Sequence, residues 1–264
     1  MHFFRPVASI LIVACILFVA GCSSFTGDRR HLVPVSGPNY AQLSAIGSSA
    51  GAPMMIRIFK QSSELEVWKQ AHDGSYRLMK TYAICTWSGT LGPKIAEGDR
   101  QAPEGFYTVT PGLMNPKSAL YLSFNLGFPN KFDRVHGRTG SNLMVHGDCS
   151  SAGCYAITDD GIKEVYALAR ETFAAGNASF QVQVYPFRMT EANLTAQSAS
   201  PHFAFWQNLK QGYDRFEATK RPPVWDVCEK KYVFALPAGS GALDPAGACP
   251  AAPGMTVATM EALQ

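Results

Sequence analysis

Residues 143–160, LMVHGDCSSAGCYAITDD, combine a short apolar run, a turn of small residues and three side chains that can carry chemistry. LMV predicts a strand, so His146 stands at a strand end, and the small residues after it predict a turn that doubles back. Cys154 closes that turn eight positions after His146. The stretch is therefore a metal site, a disulfide turn, or a nucleophile with its base.

A metal site or a local disulfide explains fewer of these residues. A closed zinc site needs four ligands, and the CxxC and HxxxH spacings that usually supply them do not occur here. Cys149 and Cys154 could form a disulfide across the SSAG turn, because exported cysteines often pair. Neither a metal nor an organic cofactor is expected.

A nucleophile with its base also accounts for the small residues. An adjacent imidazole populates the reactive thiolate near neutral pH. Gly153 lets the backbone approach a substrate closely, and the amides around Cys154 could point at a developing oxyanion. We predict Cys154 as the nucleophile, His146 as its general base and acid, and Gly153 as part of the oxyanion region.

The N-terminus has the features of an export signal. A weakly basic start precedes an apolar run from Val7 to Ala20, which ends in small residues and Cys22. The run is shorter than the roughly 20 residues of a membrane span. VAGC resembles a bacterial lipobox, and Ser23 resembles an outer-membrane sorting position. We therefore expect a signal peptide over residues 1–21 and a lipidated Cys22 that holds an exported protein at the outer membrane, facing the periplasm; an uncleaved anchor or an ordinary signal stays open.

Composition and cysteine count limit the class of protein. A net charge of +3, 16% charged and 47% hydrophobic residues describe an ordinary globular protein. No basic stripe is interleaved with aromatics, so no nucleic-acid partner is expected. Besides Cys22, the mature chain keeps an odd number of cysteines, which leaves at least one thiol free or paired between chains: Cys85, Cys149, Cys154, Cys228 and Cys249. Cys228 and Cys249 are candidates to pair, whereas Cys85 is expected to be a buried small hydrophobe.

The composition and residue pattern of the chain change along its length. Residues 22–52 are rich in Ser, Gly, Pro and Ala and predict a flexible tether. Residues 53–190 hold short β-rich runs, then a helix after the nucleophile and a last strand. Residues 191–236 predict a C-terminal helical extension, and 237–264 a disordered tail. The fold class is therefore α+β and β-rich, built around a sheet or sandwich.

The opening stretch resembles the active-site motif of the YkuD-type L,D-transpeptidases, in which a strand histidine is followed by a Ser/Thr-His-Gly-Cys turn. Ser151, Gly153 and Cys154 match that turn, and His146 matches the strand histidine. GDRQAPEGFYTV and TDDGIKEVYAL resemble the family's Pro-x-Gly segment and the helix after its nucleophile. The short HGDCSSAGCYAITD form, with SALYLSFNLGFPN and DRVHGRTGSN, is more similar to the YafK-like subgroup. The resemblance covers roughly residues 54–190.

Two departures from the broad family affect the site. Ala152 stands where that family carries His, and the loop before the nucleophile is shorter. By spacing alone His136 could be the base, but the hydrophobic strand before His146 favours His146. Arginine suits a substrate carboxylate, although a solvated loop is the competing interpretation of the polar candidates. The pocket is expected to be lined by Ser151, Arg138, His136 and Gly147.

The resemblance implies a cysteine enzyme that acts on peptidoglycan stem peptides through a thioester. An amine acceptor would give a cross-link or an attached protein, whereas water would make the enzyme a hydrolase. The YafK-like subgroup includes an enzyme that detaches a lipoprotein from peptidoglycan. The implied partners are stem peptides, an outer-membrane protein or lipoprotein linked to peptidoglycan, and the membrane through the lipid anchor. Two different kinds of protein stay open: a catalytically silent wall-binding lipoprotein, and a thiol–disulfide protein that uses Cys149 and Cys154.

Overall fold

The computed structural model describes residues 28–234, 236 and 241–250. The predicted signal peptide, Cys22 and part of the predicted tail lie outside these residues. Within them, no helix is both long enough and apolar enough to cross a membrane.

The elements are mostly strands, as the β-rich sequence predicts, and the two long helices come late in the chain. The strands are β1 (Met54–Phe59), β2 (Glu64–Gln70), β3 (Tyr76–Ala83), β4 (Thr86–Trp87), β5 (Gly105–Val109), β6 (Met114–Asn115), β7 (Ser123–Asn125), β8 (Met144–His146), β9 (Tyr155–Ala156), β10 (Phe180–Tyr185), β11 (Asp226–Cys228) and β12 (Lys231–Val233). The helices are α1 (Gly37–Ala45), α2 (Lys131–Val135), α3 (Thr158–Ala174), α4 (Glu191–Ala196) and α5 (Phe203–Thr219), with 3-10 turns at Arg30–Leu32 and Pro111–Leu113.

Two five-stranded sheets share one core. Their strand orders are β3-β2-β1-β10-β5 and β4-β9-β8-β7-β6. Branched and aromatic side chains, which favour strands, meet between them: Ile56 and Val182 from the first sheet and Val145 from the second belong to one buried cluster. The rings of Phe124 and Phe180 lie 5.7 Å apart across this core. The predicted β-rich α+β class is confirmed.

The helix after the predicted nucleophile is α3. Its buried face carries Ile162, Val165 and Ala169, which contribute to the same core. Asp159 and Asp160 lie in its first turn, where negative charge is favoured by the helix dipole. The helix therefore fixes the end of β9 against the core.

The predicted tether is wrong for residues 28–52, which pack against the domain. Val35 and Leu43 are buried in the core. The guanidinium of Arg170 donates to the carbonyl of His31 at 2.7 Å. Ser-, Gly- and Pro-rich composition conceals these few apolar anchors, because composition does not register which single residues find a partner.

The C-terminal extension packs on the outer side of the first sheet. Trp206 and Leu209 of α5 form a second buried cluster with Phe59, Phe106 and Tyr185 of that sheet. The extension is therefore an integral part of the fold.

The predicted tail is likewise ordered over residues 241–250. A disulfide joins Cys228 to Cys249, as the sequence allows. The amide of Glu229 donates to the carbonyl of Gly247 at 2.9 Å. The disordered-tail prediction is therefore wrong for this part, because the disulfide and these backbone contacts hold an otherwise weakly hydrophobic segment.

Candidate active site

The structure places the two predicted catalytic side chains on adjacent strands. His146 ends β8, and Cys154 directly precedes β9, which runs parallel to β8. The register pairs His146 with Ala156, so Cys154 lies opposite Met144, two residues before His146. A two-residue step is about 6.6 Å along a strand, a separation that the two side chains together can span.

A single hydrogen bond fixes the tautomer of His146. Its side chain is 2% exposed, and Nδ1 lies 2.5 Å from the carbonyl oxygen of Gly147. Because a carbonyl only accepts, Nδ1 carries the proton and Nε2 keeps its lone pair. Burial lowers the pKa of His146, against smaller raising effects of the Gly147 carbonyl and the Asp148 charge. The imidazole is therefore a neutral base at neutral pH.

Gly147 supports the imidazole through its backbone instead of lining a pocket as predicted. Its amide donates to the carbonyls of Leu120 and Leu122 at 3.1 and 3.2 Å. A Cβ here would lie 2.5 Å from Oδ1 of Asp159 and 2.9 Å from the Leu120 carbonyl. Only glycine fits at this position, and the close packing fixes the carbonyl that orients His146.

The thiol of Cys154 rests away from the imidazole. Its Sγ accepts from the amide of Met144 at 3.4 Å and donates to the carbonyl of Asn142 at 3.5 Å. Burial raises the pKa of Cys154, whereas the Met144 amide and the charge of Lys94 act in the opposite direction. In this resting state the group is a thiol, and it must turn from Asn142 to give its proton to His146, as catalytic contacts often form only when substrate binds.

Ser151 accepts hydrogen bonds from the amides that were expected to hold an oxyanion. Its Oγ accepts from the amides of Cys154 and Gly153 at 3.1 and 3.3 Å and donates to the Cys154 carbonyl at 2.8 Å. Gly153 has φ +124°, and a Cβ there would approach Leu143 to 3.1 Å. Ser151 therefore shapes the turn and covers its donors, a role different from the pocket-lining one predicted for it.

Cys149 is bonded to Cys85, not to Cys154. Among the cysteines of the described residues, Cys154 is the free one. The prediction that Cys85 is a buried small hydrophobe is wrong. Because Cys149 is bonded to Cys85, the predicted Cys149–Cys154 disulfide does not form, and a thiol–disulfide protein that uses these two cysteines is not supported. A separation of 64 residues gives no local signal for this bond. The disulfide ties the turn before Cys154 to the connection between β3 and β4.

His136 and Arg138 serve contacts elsewhere. Nε2 of His136 lies 2.8 Å from the carbonyl of Lys230, so this exposed ring contacts the C-terminal hairpin formed by β11 and β12. Arg138 is 9% exposed and donates to Asp133 at 2.9 Å, with its guanidinium 4.9 Å from the Phe205 ring. Within the described residues neither side chain hydrogen-bonds with Cys154 or His146, so the structure does not support their predicted place in the pocket.

Sequence reasoning missed one wall of the site, the loop over residues 88–104. Oγ of Ser88 lies 3.3 Å from Oγ of Ser151. Lys94 is 3% exposed and paired with Asp99 at 2.5 Å. GDRQAPEG pointed to this loop, but nothing in the sequence singled out a buried lysine whose charge lowers the pKa of the Cys154 thiol. In the described part of the chain, no group of three or more His, Cys, Asp or Glu side chains could hold a metal ion.

Comparison with known proteins gives the family. No protein-family model matches the chain. The Escherichia coli (strain K12) protein named "Putative L,D-transpeptidase YafK" is 39% identical over 239 residues, which are 90% of this chain and 93% of that protein. The chain belongs to the YafK family. The predicted YafK-like resemblance is confirmed, and assignment to the broader YkuD type stays a prediction.

Solved structures that are similar to this YafK-family chain are more distant from it. The helical cell shape determining protein Pgp2 (K307A mutant) of Campylobacter jejuni is 19% identical, with 69% of this chain and 66% of that chain covered and a TM-score of 0.41. Bd1075 of Bdellovibrio bacteriovorus is 18% identical, with 66% and 60% covered and a TM-score of 0.35. The family assignment therefore rests on the sequence identity and its coverage of both chains.

Proposed function

We propose that this YafK-family protein is a periplasmic cysteine L,D-transpeptidase that acts on peptidoglycan stem peptides through a thioester on Cys154. One observation carries the proposal: a free thiol directly precedes β9, the strand beside the one that ends in a neutral imidazole whose tautomer is fixed by the Gly147 carbonyl. The name of the Escherichia coli relative supports the reaction class, and the family resemblance implies the substrate polymer.

In the first half-reaction, Cys154 attacks the carbonyl carbon of the L,D-configured stem bond at diaminopimelate. The Sγ–C bond forms while the thiol proton passes to Nε2 of His146. The C–N bond then breaks, and the imidazolium returns the proton to the leaving amine, D-alanine or another amine. Because burial favours both the thiol and the neutral imidazole, proton transfer accompanies attack instead of preceding it.

The tetrahedral intermediate needs donors for its oxyanion. The amides of Gly153 and Cys154 are suited to this, and Ser151 already binds them with an oxygen. Substrate therefore takes the place of the serine hydroxyl on these donors. Each such donor contributes about 3 kcal/mol to stabilisation of the transition state.

In the second half-reaction, an amine acceptor attacks the thioester. Its proton passes to His146, the C–S bond breaks, and the sulfur recovers the proton, which gives a cross-link or an attached protein. The second candidate is a hydrolase in which water replaces the amine, for example one that cleaves a lipoprotein–peptidoglycan tether. The YafK-like resemblance supports this candidate, whereas the breadth of the L,D-transpeptidase family and the name of the Escherichia coli relative support the transferase.

An oxidising compartment fits the cysteine chemistry of the folded part. Two disulfides, Cys85–Cys149 and Cys228–Cys249, are typical of exported proteins. Together with the predicted lipobox at Cys22, they support an outer-membrane lipoprotein that faces the periplasm. Its partners would be the stem peptides and an outer-membrane protein or lipoprotein attached to them.

Two measurements test the proposal. Intact-mass spectrometry after exposure to a carbapenem should show acylation of the parent, none in Cys154→Ala, little in His146→Ala, and parent-like acylation in the control His136→Ala. Digestion of purified muropeptides should then yield 3-3 cross-links. Trimmed stems without cross-links would replace the transferase with the hydrolase, and a folded parent with a reduced, unmodified Cys154 would favour a non-catalytic wall-binding protein.

A further inference from the structure

A buried charged cluster lies behind the 88–104 loop. Lys60 and Glu104 are both 0% exposed and paired at 2.9 Å. The ammonium also donates to the carbonyls of Gly92 and Ala102, each at 3.0 Å. Glu104 accepts in addition from the Gly92 amide at 2.7 Å and from Nε1 of Trp206 at 2.8 Å. Each ammonium proton thus has an acceptor, and both carboxylate oxygens have donors.

This arrangement holds the two ends of a loop together. Gly92 and Ala102 are held to one nitrogen, which fixes the two ends of the segment 92–102 beside each other. A buried ion pair is often no more stabilising than apolar residues of similar volume. Stability alone therefore does not explain why Lys60 and Glu104 are buried here. The fixed position that they give to the loop does explain it.

The same loop borders Cys154. The carbonyl of Gln101 would lie 3.6 Å from a Cβ on Gly153. The hydroxyl of Tyr155 donates to the carbonyl of Pro103 at 2.7 Å. The loop thus contacts the residues on both sides of the nucleophile, and it carries Lys94, whose charge acts on the thiol.

The outermost member of the cluster comes from the C-terminal extension. Trp206 lies on α5, is 2% exposed and packs against Phe187 with ring centroids 5.3 Å apart. We infer that the extension is part of the active site: Trp206, through Glu104 and Lys60, positions the 92–102 loop against Cys154. The three are positioning residues, and the part of the inference that concerns turnover rests on the proposed function.

The test uses the full-length protein and three variants. Trp206→Phe removes the Nε1–H donor and keeps an aromatic ring, and Lys60→Met removes the ammonium. Lys69→Met is the matched control, because Lys69 is also 0% exposed and donates to the Ala50 carbonyl of the N-terminal segment at 2.8 Å and to Thr172 of α3 at 2.9 Å.

Two readouts are compared at matched folding, checked by thermal melting. The first is kcat/KM on purified muropeptides, which should fall about 10- to 100-fold in Trp206→Phe and Lys60→Met. The second is the pH midpoint for alkylation of Cys154 by iodoacetamide, which should rise in both variants because the loop that carries Lys94 is no longer fixed beside Cys154. The charged and titratable groups around the thiol, Lys94 with its partner Asp99, His146 and Tyr155, are unchanged in all variants. Lys69→Met should match the parent in both readouts.

The outcomes separate the inference from the proposed function. A folded Trp206→Phe protein with parent-like turnover and midpoint would overturn the inference, even if Lys60→Met fails to fold. Equal changes of kcat/KM and of the alkylation midpoint in Lys69→Met would also overturn it, because a general loss of stability would then be the cause. If the parent converts no muropeptide but the alkylation contrast persists, the proposed function fails and the positioning role stands.

Discussion

Breaking the Cys85–Cys149 disulfide tests whether the turn before Cys154 needs a covalent anchor. The bond joins residues 64 apart, and closing a loop of that length stabilises the folded state by about 4 kcal/mol through chain entropy. For a chain of this size the double variant Cys85→Ser, Cys149→Ser should lose on the order of 10 °C in Tm. It should also acylate at least about 10-fold more slowly, because the turn before Cys154 loses its alignment.

The second disulfide provides a matched control. Cys228 and Cys249 are 21 residues apart, so their bond contributes about 3 kcal/mol by the same reasoning. They join the C-terminal hairpin to the segment after it, not to the turn before the nucleophile. Cys228→Ser with Cys249→Ser should therefore lower Tm by a similar amount and leave acylation of Cys154 unchanged.

The assay is a time course of carbapenem acylation by intact mass, run below the lower of the two melting temperatures. Parent-like acylation in the Cys85 and Cys149 variant, with the expected fall in Tm, would refute the idea that the anchored turn aligns the thiol. Equal slowing in both double variants would trace the effect to lost stability instead.

Three further predictions concern the base and the turn. Because burial lowers the pKa of His146 below its usual 6.5, the acylation rate should hold down to pH 6.5 and fall only as the imidazole becomes protonated below it; a pH–rate profile that already declines above 6.5 would contradict this. Ser151→Ala removes three hydrogen bonds worth about 1 kcal/mol each and should lower stability by up to about 3 kcal/mol, whereas Ser151→Thr keeps the hydroxyl; parent-like melting of Ser151→Ala would leave the serine without a role in shaping the turn. Gly147→Ala forces a Cβ within 2.5 Å of Asp159 and should lower stability by about 1–3 kcal/mol with loss of acylation, while Gly112→Ala, with open space around it, should change neither melting nor rate.

The local part of the site was predictable from the sequence because its elements are close along the chain. A strand end at His146 and a short turn before Cys154 leave few ways to connect the two segments, so their placement side by side could be predicted from spacing and residue type. Gly153, with φ +124°, fits the same local argument. The helix after the nucleophile followed from its 3.6-residue period.

The remainder depends on contacts between distant segments. The partner of Cys149 is 64 residues away, and Lys94 reaches the site only because a loop folds beside it. The packing of Val35 and Leu43 against the core could not be inferred from a Ser- and Gly-rich segment. His136 illustrates the opposite error: its spacing fitted a base, but its ring bonds to Lys230, which no local pattern shows.

The resting arrangement bears on how the proposed enzyme would be controlled by its substrate. The thiol is bound to Asn142 and the amides of Gly153 and Cys154 are bound to Ser151, while burial keeps sulfur protonated. Since the thiolate is the form that oxidises and alkylates, the free cysteine is protected in an oxidising compartment. A productive substrate must displace the serine hydroxyl and turn the thiol towards His146. Binding energy from the rest of the stem peptide can drive both changes, so truncated stems should lower kcat as well as raise KM.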